Sequence, residues 1–246
     1  MFNAKTEKIK YLAEKYPQRI SELEKVFDKK TNVYIDFANA IRWQEKLHWH
    51  FDLRRLKQFL DSFENINSVK FYSGTLIGNE KSETFIREVE KIGYNIHTKP
   101  VKIMKLSIDV SSIPENSLAL LENFIRKSLL KQFDLGTIEH LNKKLKELNA
   151  KGIKFVEDRK CNFDVEIGRD MLLDYNKNGV ENFVLWSGDS DFADPISQLL
   201  KDNKKVAVFA TSKRISAELG DLRNKGLFIF DIQKIRNFIC WKKEIQ

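Results

Sequence analysis

The chain has 246 residues, of which 42% are hydrophobic and 32% charged, with a formal net charge of +8. That length supports one sizeable core with additions, and the basic balance favours polyanionic partners over acidic ones. Two cysteines, Cys161 and Cys240, without paired Cys/His spacing exclude a disulfide framework and a zinc module. No stretch approaches the roughly 18 uncharged apolar residues that cross a bilayer, so no membrane partner is expected. The charged first residues lack an apolar signal core, and a reducing cytoplasm is the expected location.

Residues 3 to about 28 carry apolar side chains at helical spacing, with Pro17 as an interruption, and form an N-terminal helical extension over residues 1–30. A β-branched run over 32–37 follows and ends near Asp36. Residues 51–63 are a predicted helix with Asp52 as N-cap, 68–74 a strand, 81–92 a helix stopped by Gly93, and 94–108 one or two strands broken at Pro100. Residues 112–150 read as an inserted helical hairpin, opened by the capping-box spacing of Ser112 and Glu115 and joined near Gly136. The hairpin either packs on the main domain or offers a homodimer or partner surface, since a three–four repeat suits both. The pattern then resumes: a helix over 164–175, a buried strand over 181–189, a helix from Asp194-Pro195, a strand over 205–210, a short helix over 214–222, a strand over 226–232 and a closing helix over 231–241. Strands alternating with helices imply a parallel sheet covered on both faces, and residues 31–246 are read as one α/β domain around the insertion.

Ligands of parallel sheets bind beyond the carboxyl ends of the strands. One strand ends at Asp36, followed by Asn39, and another ends at Ser187-Gly188-Asp189, with Asp191 just beyond. Asp164 opens a helix and can face such a site; Asp170, about 240° round that helix, supports it from a different direction or lies at its edge, and Glu166, about 200° round, points elsewhere. Several carboxylates held together either protonate or recruit a cation, and an all-oxygen set suits Mg²⁺ or Mn²⁺. Such a metal can activate water against a phosphodiester. Arg42, Trp43, Lys46, His48, Trp49 and His50 follow Asn39, and rings beside cations can stack bases and hold phosphates. Lys213 and Arg214, after the fifth strand of the alternation, are further phosphate candidates.

Three segments carry a resemblance: YIDFAN (34–39), FDVEIGRDML (163–172) and LWSGDSDFADPI (185–196), with a weaker match over 216–232. They resemble the NYN family of PIN-like nucleases. The resemblance implies a Rossmannoid three-layer sandwich with a central parallel sheet and Mg²⁺- or Mn²⁺-dependent endonucleolytic cleavage of RNA. It implies Asp36, Asp164 and Asp189 as catalytic metal-binding acids, Asp191 as a further catalytic acid that binds the metal or positions water, and Asn39 as a catalytic residue that braces the first-strand loop or contacts the substrate. Asp170 is implied as a supporting acid, and Ser187, Arg42, Trp43, Lys160, Lys213 and Arg214 remain candidates for substrate contact. Lys160 stands one residue further from Asp164 than the corresponding lysine of many members. A catalytically silent RNA-binding scaffold on the same fold, or a DNA nuclease, is the alternative expectation.

Overall fold

The computed structural model describes residues 1–211 and 215–244. Lys213 and Arg214 lie outside the described residues. Two compact units form the chain: residues 1–100 with those from 161 onward, and residues 101–160.

The first unit opens with α1 (Glu7–Lys15) and α2 (Pro17–Val26), split where Pro17 takes the first helical position of α2. Ile9, Leu12, Ile20, Leu23 and Val26 on these helices are buried in the main core, so the N-terminal segment is part of the packed fold rather than an appendage. β1 (Thr31–Asp36) leads through α3 (Phe37–Ile41), α4 (Gln44–Leu47) and β2 (Trp49–Phe51) to α5 (Leu53–Leu60). Asp52 caps α5 as expected, accepting from the Arg55 backbone N–H at 2.8 Å. β3 (Ile66–Thr75), α6 (Glu80–Ile92) and β4 (Asn95–Pro100) complete the first half. Gly93 stops α6 in the left-handed region at φ 100°.

The second unit contains β5 (Lys102–Ser107), a single-turn helix α7 (Lys127–Leu130), α8 (Leu135–Ala150) and β6 (Phe155–Lys160). β5 and β6 pair antiparallel. The sequence pattern does not reveal β6, because its FVEDRK string is mostly charged and pairs across with a strand that is also lysine-rich. Only the second half of the expected hairpin is a long helix. Residues 112–126 hold just a 3₁₀ turn at Leu121–Asn123, because buried Asn142 donates to the carbonyls of Glu115 and Ser117 at 2.6 and 2.8 Å. Those carbonyls are thereby taken out of a helical ladder, and the Glu115 carboxylate pairs with Lys146 instead of closing a capping box. Ile138, Leu141 and Leu145 of α8 bury their seam against Leu118, Leu121, Ile125 and Leu130 of the same unit.

Back in the first unit, α9 (Asp164–Asn178), β7 (Asn182–Trp186), α10 (Ala193–Lys201), β8 (Lys205–Ala210), α11 (Ala217–Asp221) and β9 (Phe228–Asp231) follow. The chain ends in α12 (Arg236–Ile239) and β10 (Cys240–Glu244), which pairs antiparallel with β2. The closing helix is therefore shorter than its apolar spacing implies, and a strand takes over from Cys240.

The six-stranded sheet has the order β4-β3-β1-β7-β8-β9, and every pair in it is parallel. One face of β1 presents Asn32 and Tyr34 to α9, whose Asp174 accepts from both at 2.8 and 2.6 Å. Lys70 of β3 joins them, with its ammonium 2.7 Å from Asp174 and only 12% of its side chain exposed. The opposite face buries Val33 and Ile35 with Trp186, Phe209 and Phe71; there Trp186 meets Trp43 and Phe51, and Phe71 meets Phe85 of α6. These two helical layers around one parallel sheet are the three-layer arrangement expected from the alternation.

Candidate active site at the carboxyl edge of the sheet

β1 and β7 are neighbours in register, Ile35 opposite Trp186. The residues that follow, Asp36 and Ser187, therefore leave the sheet side by side. Asp36 caps α3 and accepts from the Asn39 amide side chain at 3.0 Å and, more weakly, from its backbone N–H at 3.4 Å. The Ser187 hydroxyl donates to the same carboxylate at 3.4 Å and accepts from the Asp189 backbone N–H at 3.3 Å. Ser187 is fully buried, so it joins the two acidic loops and has no surface to offer a substrate.

Asp189 caps the 3₁₀ turn Ser190–Phe192 and accepts from the Asp191 backbone N–H at 3.3 Å. Asp164 begins α9, and its backbone N–H donates to the Asn162 side chain at 2.7 Å. Asp36, Asp164 and Asp189 line one cleft of about 150 Å³, with Asn39, Arg42 and Asn162 on its walls. Asp164 also borders an adjoining cavity with Asp191 and Asp194. Strands and helices far apart in sequence thus bring the four expected acids to one edge.

Crowding leaves an electrostatic mark. Burial first, then a hydrogen bond shared with Asp191 and the nearby charges of Asp189 and Asp191, push the Asp164 carboxyl up to about 6 against an opposing bond from Asn162. Burial, aided by the charge of Asp189, also raises the Asp36 carboxyl, although Asn39 and Ser187 pull it the other way. Among the described residues, no three Asp, Glu, His or Cys side chains close around a common point as a finished coordination shell. The acids are near one another without being assembled. Their donors are all oxygens and their mutual repulsion is what a hard divalent cation relieves, so the set fits Mg²⁺ or Mn²⁺ chemically.

The other expected residues separate. Arg42 is exposed at the cleft. Trp43 is not a base-stacking residue: it is fully buried and stacks on Trp186 at 6.0 Å in the core. Its helical spacing from Leu47 turns it inward, and the flanking polar residues take the surface. Lys160 ends β6 in the second unit, 3.5 Å from Asp158. Asp170 turns away from the cleft and is buried; it accepts from the Tyr72 hydroxyl at 2.9 Å and from the Arg169 guanidinium at 2.9 and 3.0 Å. Glu166 points elsewhere too, paired with Lys99. Asn162 is the site residue that strand-end reasoning misses; an Asx residue two positions before a helix-opening aspartate is its only local signal.

An acid-edged, all-parallel α/β sheet of this kind has the architecture of the PIN-like nuclease class. The model of the NYN domain family matches residues 125–229, so this stretch of the chain is similar to NYN domains. The matched stretch contains Asp164, Asp189 and Asp191; Asp36 lies before it. Low amplitude and bright protein LabA of Synechococcus elongatus is 25% identical over 211 residues, 84% of this chain and 86% of that protein. A crystal structure of a protein of unknown function from Vibrio parahaemolyticus shares the fold, with a TM-score of 0.50 and 17% identity over 83% of this chain and 94% of the other. Among the described residues no helix is long and apolar enough to cross a membrane.

Proposed function

We propose that the chain is a metal-dependent endoribonuclease of the reducing cytoplasm, hydrolysing RNA phosphodiesters at the cleft edged by Asp36, Asp164 and Asp189. The observation that carries this reading is the convergence of Asp36 and Asp189, from neighbouring strands, with Asp164 at the start of α9 on one cleft, where burial and then the neighbouring acids raise the Asp164 carboxyl to about 6. Asp36, Asp164, Asp189 and Asp191 are the residues that would hold Mg²⁺ or Mn²⁺. When bound, such an ion supplies Lewis-acid polarisation of the scissile phosphate and lowers the pKa of water.

The side chains of the chain supply orientation and proton handling. Asn39 and Ser187 fix the Asp36 carboxylate from two directions. Arg42 meets the phosphate backbone at the cleft mouth. Asp191, exposed beside Asp164, accepts a hydrogen bond from the attacking water. The water oxygen bonds to phosphorus as the P–O3′ bond breaks, and the departing 3′-oxygen takes a proton. Products therefore carry 5′-phosphate and 3′-hydroxyl ends.

End-mapping of a mixed RNA pool after incubation with Mg²⁺ or Mn²⁺ tests the proposal. Single-stranded DNA and a small phosphomonoester run beside it to separate the DNA-nuclease and phosphatase alternatives. Asp36→Asn combined with Asp189→Asn is expected to lower cleavage by roughly 10³-fold or more, since several kcal/mol of charge stabilisation are removed. Full cleavage by that double variant refutes the assignment. The unassembled acids are the one observation favouring a silent RNA-binding role, and tight binding without cleavage in either metal would establish that role.

A further inference from the structure

A second concentration of chemistry lies on the opposite side of the sheet from α9. Two adjoining cavities, about 320 and 420 Å³, share Lys8, Leu12, Arg55 and Trp241. Their walls carry Lys8, Lys15, Arg54, Arg55 and Arg236 against the single carboxylate of Asp52, a net +4 out of the chain's +8. Three rings stand among these charges. Trp241 is 53% exposed, with the Lys8 ammonium 5.8 Å and the Arg55 guanidinium 5.3 Å from its centre. Arg236 lies 4.7 Å over Trp49, and Lys15 and Arg19 lie over Tyr16.

Trp241 and Arg55 are held in place by hydrogen bonds, while the outer cations stand exposed. The Trp241 indole N–H donates to Asp52, and Arg55 donates to the carbonyls of Cys240 and Asn237. Lys8, Arg54 and Arg236 are exposed, and Lys8 and Arg236 are held only over rings. Half-open rings beside exposed cations are what successive unpaired bases and their phosphates require. A duplex offers no free ring face, which selects a single strand.

Topology sets this face within reach of the acids. β1 leaves the sheet at its carboxyl edge with Asp36. The chain passes Arg42 at the acid cleft, reaches Trp49 in β2, and only then runs back through α5 to start β3 at Ile66, beside Thr31. The first turn of α5, with Arg54 and Arg55, therefore lies at the same edge as the acids, on the other face.

We propose that this basic, aromatic face is a binding track for single-stranded RNA, gripping the strand on one flank of the bond held in the acid cleft. That the polynucleotide is RNA rests on the endoribonuclease reading; the track itself requires only unpaired bases on a phosphate backbone.

The test uses fluorescence anisotropy with labelled RNAs of four and sixteen nucleotides, on full-length protein carrying Asp36→Asn and Asp189→Asn to stop cleavage. Adding Lys8→Ala, Arg54→Ala and Arg236→Ala is expected to weaken the long RNA at least about tenfold and leave the short one unchanged. The slope of log affinity against log salt should fall by about 2, at roughly 0.7 per lost phosphate contact. In cleavage-competent protein the same triple change raises KM for long RNA and spares kcat. Trp241→Phe should keep affinity and Trp241→Ala lose it about tenfold, whereas a purely structural role through the indole N–H would hit both alike. Unchanged long-RNA affinity and salt slope in the triple variant overturn the proposal, as does equal, equally patch-dependent binding of duplex RNA. Patch-dependent binding by a wild-type protein that cleaves nothing would sink the endoribonuclease reading and leave the track standing.

Discussion

Replacing Asp164 by Asn removes one charge from a crowded set without changing its shape. A carboxyl lifted from 3.8 to about 6 disfavours its own ionisation in the folded state by about 3 kcal/mol at full strength. Asp164 is only half-buried, and solvent screening reduces this to about 1 kcal/mol. The sign follows from proton binding: the folded protein holds the proton more tightly than the unfolded chain, so this contribution is complete below pH 3.8. It is lost as pH rises through about 6. Wild-type, metal-free protein should therefore lose about 1 kcal/mol over that window that the Asn variant does not lose. At about 2–4 °C per kcal/mol for a chain of this size, the melting temperature of the variant relative to wild type should rise by about 3 °C between pH 3.5 and pH 7.5. Thermal melts in chelator at several pH values measure it, and added Mg²⁺ should stabilise wild type more than the variant. A difference between the two proteins that stays flat with pH, or falls as pH rises, refutes the claim that burial and the neighbouring acids hold the proton on Asp164.

Lys70→Met leaves the buried Asp174 charge unpaired and should cost about 3–5 kcal/mol in urea denaturation, with Lys70→Met plus Asp174→Asn recovering much of it. Ser187→Ala removes the hydroxyl between the two acidic loops, and calorimetric titration should show Mn²⁺ affinity reduced roughly 10–100-fold; unaltered affinity would mean the loops hold themselves. Trp43→Ala should destabilise the fold by about 3–5 kcal/mol through the cavity left beside Trp186, and at temperatures where the variant is folded its RNA affinity by anisotropy should match wild type.

Local chemistry made the secondary structure and the acids legible. Pro17, the Asp52 cap and Gly93 act on their own few residues, so helix ends near them need no tertiary information. Asp36 and Asp189 are visible because an apolar strand that stops at an aspartate marks its own carboxyl end. The residues 112–126 escape this logic: their backbone is claimed by Asn142, a side chain 25 residues or more away. β6 escapes it because a charged strand satisfied by its partner leaves no apolar period.

The sequence by itself determined that acids would stand at strand ends and that helices would cover a parallel sheet, since both follow from short-range pattern. Only the tertiary structure decided that β1 and β7 are neighbours, that α9 turns Asp164 to the cleft while Asp170 and Asp174 face the sheet, and that Trp43 is core. It alone drew Lys8, Arg54, Arg236 and Trp241 onto one face. These outcomes depend on contacts between residues tens to hundreds of positions apart, whose energies belong to pairs and leave no signature in either partner's neighbourhood.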